Sequence, residues 1–104
     1  MSKLRKPPAS YQEFVKRFPA IGRAWEQLSG AGMDGPLDER TARLVKLGIA
    51  IGSLREGAVH SAARKAAAAG ASRGEIEQVV ALAATTLGLP STVAVYTWIR
   101  DELK

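Results

Sequence analysis

The chain has 104 residues, enough for one hydrophobic core and too few for a second. It has no cysteine, which excludes disulfides, thiolate metal sites and thiol catalysis by its own side chains, and a single histidine makes a metal site of its own a poor fit to zinc's usual ligand sets. The net charge is +5, but Lys3, Arg5 and Lys6 precede every acid, and residues 7–104 hold 12 basic and 10 acidic residues; that is a near-neutral body behind a basic leader, and no nucleic-acid face is expected.

No apolar run approaches the roughly 18–20 residues of a membrane span, and the start lacks a signal-peptide apolar region, so a cytoplasmic protein without membrane contact is expected. Residues 1–9 read as a flexible leader, because Pro7 and Pro8 hold the chain extended. The body, residues 10–104, reads as a single helical domain. Ser10 opens the first helix as the cap of an S-Y-Q-E capping box, with Phe14, Val15 and Phe18 on its apolar face. Pro19 interrupts it and starts a second helix to about Ser29, with Ile21, Trp25 and Leu28 at spacings of 4 and 3. Gly30, Gly32, Gly35 and Pro36 make the loop that follows.

Asp38 caps a third helix that runs to about Leu54. Its polar positions Glu39, Arg43, Lys46 and Ser53 form one narrow stripe, and Leu44, Val45, Leu47, Ile49, Ile51 and Leu54 cover most of the rest. A helix this apolar is expected to be buried on more than one side, in a subunit interface as well as in the core. The fourth helix spans about Glu56 to Ala69 and ends at Gly70, and its alanines let a neighbour approach closely. Ser72 and Glu75 form a second capping box ahead of a fifth helix, with apolar residues from Ile76 to Leu87 at i, i+3, i+4, i+7, i+8 and i+11. Gly88 stops it and Pro90 starts the last helix, with Val93, Val95, Tyr96 and Ile99 giving apolar contacts. No segment alternates like a strand. The fold class is all-α, with about six helices.

Glu56, His60 and Arg64 share one face of the fourth helix at i, i+4 and i+8. A carboxylate one turn from an imidazole can fix its tautomer for acid–base work. The same spacing also describes a solvated ion-pair face, which is the simpler reading of spacing alone. Lys46, on the polar stripe, reads as solvent-exposed. Thr85 and Thr86, before a Gly-Leu-Pro turn, have hydroxyls that could face a cleft or bond back to their own helix. Trp25, Trp98, Tyr11 and Tyr96 read as core before they read as a pocket. Neither G-x-G-x-x-G nor G-x-x-x-x-G-K occurs, and no cofactor is expected.

Two segments resemble the carboxymuconolactone decarboxylase family, which includes the alkylhydroperoxidase D-like proteins. LDERTARLVKLGIAIG is similar to the family's L-D-x-K-T-R-E-L-I-x-L-A segment, and AAAAGASRGEIEQVVALAATTLGLPSTV to its A-L-x-A-G-A-T-x-E-E-I-x-E-V segment running into a G-x-P turn. With EGAVHSAARKA between them, the resemblance covers residues 37 to about 100. It implies an alkylhydroperoxidase D-like helical bundle that associates into homo-trimers or hexamers. The peroxidase-type members use C-x-x-C-x-x-x-H with a glutamate on the preceding helix. Here those positions hold Arg55, Ala58, Ala62 and Arg43, so the resemblance is to a cysteine-free branch and peroxidase activity would need a thiol from outside the chain. It then implies binding of a small organic acid or lactone, with His60 and Glu56 as the acid–base pair and Arg55 or Arg64 holding a carboxylate. The alternative is a non-catalytic homo-oligomer retained for binding or assembly.

Overall fold

The structure, a computed structural model, describes residues 9–103. Lys3, Arg5 and Lys6 of the basic leader lie outside the described residues. The described residues are helical apart from short turns and fall into two compact units, 9–38 and 39–103.

The first unit is a pair of helices, α1 (Ala9–Arg17) and α2 (Pro19–Met33). Ser10 was expected ahead of α1 as its cap; it lies inside the first turn, because the helix already begins at Ala9. A shift of one residue is within the ordinary fraying of helix ends. Pro19 occupies the first turn of α2, where its missing N–H costs no hydrogen bond. α2 runs four residues past the expected end at Ser29, through Gly30 and Gly32, before Asp34 leaves the helical conformation. Glycine weakens a helix interior by about 1 kcal/mol relative to alanine but does not break it, so the stop falls at Asp34, just ahead of the Gly35-Pro36 pair. Gly22 is the buried point of this unit. A Cβ there would meet the Val15 Cβ at 3.1 Å, so glycine is what lets the two helices come together.

The second unit holds α3 (Glu39–Ser53), α4 (Glu56–Ala68), α5 (Arg73–Leu82), a single turn α6 (Ala84–Leu87) and α7 (Leu89–Glu102). The expected fifth helix is thus two segments, broken at Ala83. α4 is central, packed against α3, α5 and α7. Val59, Ala63 and Ala66 form its buried stripe, and the small alanines leave room for its neighbours. Around it close Leu47 and Ile51 from α3, Ile76 and Val80 from α5, and Val95 and Ile99 from α7. Each large aliphatic side chain buried this way contributes about 2 kcal/mol.

The ends of α4 and α5 show how local sequence fixes the chain's path. Gly70 takes a φ of 99°, its N–H bonds the Ala67 carbonyl, and the Ala71 N–H reaches back to the Ala66 carbonyl at 3.0 Å. This is a Schellman closure, with Ala71 tucked into the core beside it. Ser72 then caps α5: its hydroxyl accepts from the Glu75 N–H at 3.1 Å, and the Ser72 N–H donates to the Glu75 carboxylate at 2.9 Å. Leu54, expected as the apolar end of α3, is instead exposed in the turn before α4 with a φ of 54°. A leucine held left-handed costs about 1 kcal/mol.

Two expectations about inward faces change. α3 buries Leu47, Ala50 and Ile51, while Val45 and Ile49 are exposed, so this chain alone covers one side of that helix. In α7 the buried residues are Thr92, Val95, Ile99 and Glu102, at intervals of 3, 4 and 3. Val93 and Tyr96 are exposed, because the line through Val95 and Ile99 leaves them on the other side. Ile99→Ala should therefore lower stability by about 3 kcal/mol, and Val93→Ala by less than about 0.5 kcal/mol, in urea unfolding. Equal losses would mean that α7 is rotated from this placement.

Candidate functional site

α4 presents two polar edges beside its buried stripe. Glu56, His60 and Arg64 lie along one of them, as their spacing predicts. The Glu56 carboxylate is 3.2 Å from His60 Nε2. The other ring nitrogen, Nδ1, is 2.5 Å from a carboxylate oxygen of Glu102, 42 positions further along the chain. Arg64 Nη1 lies 3.3 Å from the second oxygen of the same carboxylate. Glu102 thus sits between an imidazole and a guanidinium, in the last turn of α7 where that helix crosses α4.

Burial separates the two carboxylates. The Glu102 side chain is 1% exposed, Arg64 14% and His60 18%, whereas Glu56 is 60% exposed. A carboxylate this enclosed is strongly destabilising unless it is paired and hydrogen-bonded. Here Arg64 supplies a fixed positive charge and His60 a ring N–H. With Nδ1–H donating to Glu102, the ring is held in one orientation and Nε2 is left facing the exposed side. Only the doubly protonated ring can donate to Glu56 and Glu102 at once. The arrangement can therefore hold a proton at Nε2, or receive one there, with the ring fixed from behind. Among the described residues no group of three or more His, Asp or Glu side chains is placed to hold a metal ion.

The fourth expected site residue stands apart. Arg55 is the N-cap residue of α4, exposed, in extended conformation, with no side-chain capping bond. Glu102, which joins His60 to Arg64, was not anticipated. The stripe of Thr92, Val95 and Ile99 that carries it inward is set by how α7 packs, and spacing along the chain did not single it out.

On the side of α4 towards α3, the charges have one sign. Lys65 has its pKa pulled below the ordinary lysine value, first by partial burial along its length and then by the positive charges of Arg43, Lys46 and Arg64. With the folded value lowered, the unfolded chain binds that proton more tightly. The penalty is fully present at neutral pH, and stability rises with pH between the folded and unfolded values.

An apolar groove of about 420 Å³ lies between α3, α5 and α6, lined by Leu44, Val45, Gly48, Val79, Leu87 and neighbours. Thr86 lines it, but none of His60, Glu56, Arg55 or Arg64 does. Tyr96 is exposed and Trp98 packs beside the core of its unit.

The family described as the carboxymuconolactone decarboxylase family matches residues 19–101. No curated protein and no solved structure matches the chain. No helix among the described residues is long and apolar enough to cross a membrane.

The buried cluster should dominate the electrostatic contribution to stability. Arg64→Met removes the guanidinium from beside the buried Glu102 and should cost about 3 kcal/mol, whereas Arg73→Met, which removes an exposed pair with Glu77, should cost less than about 1 kcal/mol. Urea unfolding of the two variants at neutral pH decides this, and comparable losses would mean that Glu102 is solvated.

Proposed function

The chain belongs to the carboxymuconolactone decarboxylase family, and on that premise we propose that it binds a small organic acid or lactone in the cytoplasm, with His60 as the acid–base group. The observation that supports this reading is the bond between His60 Nδ1 and the buried Glu102 carboxylate. A ring oriented from behind by an enclosed carboxylate presents one nitrogen in a fixed direction, which is what proton transfer to a bound ligand requires. Nε2 is that nitrogen. Glu56, on the exposed side, then has the role of a partner that gives way when a ligand atom comes within hydrogen-bond reach of Nε2.

Arg64 is engaged by Glu102, so in this reading it balances the buried charge. Arg55, exposed at the start of the same helix, is the cation available to hold a ligand carboxylate. The chemistry needs no thiol and no cofactor, in keeping with a chain that has no cysteine. NMR titration of the single histidine with small dicarboxylates and lactones tests the reading. One ligand class should shift the ring signals saturably, and Glu102→Gln should abolish the response. Ring signals indifferent to every ligand would sink it.

A second reading, a non-catalytic homo-oligomer, has its own support. Val45, Ile49 and Leu82 are exposed in the same unit, two of them on α3. Apolar surface of this kind is covered when copies associate. A mass measurement in solution should return a trimer or hexamer, and a monomer at all concentrations would rule this out.

A further inference from the structure

Four basic side chains of the second unit face carboxylates within the chain: Arg40 with Glu75, Arg64 with Glu102, Arg73 with Glu77, and Arg100 with Asp101. Arg43, Lys46 and Lys65 differ. Among the described residues none of the three has a carboxylate at ion-pairing distance, yet they are gathered on one pair of helices. Arg43 and Lys46 are one turn apart on α3, and Lys65 stands on α4, the helix packed against it. The three are close enough for Arg43 and Lys46 to act on the Lys65 charge, and the effect is repulsive. Clustered like charges with no internal counter-charge are a standing cost, one that an anion from outside would relieve.

We propose that Arg43, Lys46 and Lys65 form a binding site for a small multivalent oxyanion, a di- or tricarboxylate or a phosphate, on the α3–α4 face. The donor set suits such a ligand. Half-buried Arg43 offers a planar fork for two oxygens of one carboxylate or phosphate, and the two lysines add mobile point charges. The α4 residues that share the side of Lys65, at spacings of 4, 3 and 4, are Ala58, Ala62 and Ala69, whose short side chains leave room beside the ammonium. The patch is also bounded. Glu39 stands one turn before Arg43 on the same stripe, and the exposed apolar Val45 and Ile49 flank Lys46. A nucleic-acid backbone or a long acidic segment needs an extended track of cations, which this face does not offer. The site shares with the preceding proposal only the class of ligand. It uses neither His60 nor Glu102 and assigns the anion to cations other than Arg55.

The test is an NMR titration of the full chain, at neutral pH and constant ionic strength, with citrate and with inorganic phosphate separately, observing the lysine side-chain signals and the His60 ring together. The expected result is saturable movement of the Lys46 and Lys65 signals with one site per chain, for one or both anions. Lys46→Met or Lys65→Met should weaken binding about tenfold each, while Lys16→Met, on the first unit, leaves it unchanged. These exposed lysines are not part of the core, so circular dichroism should show the variants folded. Absence of saturation at millimolar anion, or undiminished affinity in the double variant, would overturn the site. So would a hexaglutamate peptide that binds at these lysines when citrate and phosphate do not, which would indicate an acidic protein partner. Lysines that respond while the His60 ring stays silent would uphold this site and count against the acid–base reading; the reverse pattern would do the opposite.

Discussion

A carboxylate that is 1% exposed sets a requirement on everything near it. Moving such a group out of water carries an effective penalty of several kcal/mol, on the order of what a whole small domain has to spare. Glu102 meets that penalty with two partners from one helix, a guanidinium and a ring nitrogen one turn apart on α4. The contact binds the last turn of α7 to the middle of α4, and it fixes the direction of the only histidine in the chain. Stability and possible chemistry therefore depend on the same atoms. Neither can be altered alone.

The helix that supplies those partners is organised by the small size of its residues. Alanines let α3, α5 and α7 lie close to α4, so there is little room between helices for long side chains. Polar residues of α4 are consequently pushed to two edges. On one edge Glu56, His60 and Arg64 lie in sequence and meet Glu102 of α7, so acidic and basic groups are interleaved. On the other, Lys65 meets Arg43 and Lys46 with no acid between them. A helix of few large side chains thus sorts charge into an edge of mixed sign and a positive one.

The apolar surface left over is as uneven as the charge. α3 is apolar around most of its circumference, but the second unit covers it only along Leu47, Ala50 and Ile51. Val45 lines the groove that α3 forms with α5 and α6, and Leu82 lies there as well. This groove and the His60 cluster lie among different residues. A ligand held by the groove and a proton moved by the ring would accordingly belong to separate sites, unless association of copies brings them together.

Local chemistry alone determined most of the fold. The capping box at Ser72 and Glu75, the Gly70 closure and the Pro19 start involve residues within a few positions of each other, so their geometry follows from the sequence. The alignment of Glu56, His60 and Arg64 was legible for the same reason, since helical spacing is a local property. What the tertiary structure decided is which face of each helix turns inward. Helical periodicity placed Val93, Val95, Tyr96 and Ile99 on α7 but could not choose among them, because that choice depends on how α7 crosses α4. Once Val95 and Ile99 face the core, Glu102 must follow three residues later, and the carboxylate arrives at His60 from 42 positions away. No pattern along the chain encodes that meeting; it exists only because two helices pack at one particular rotation.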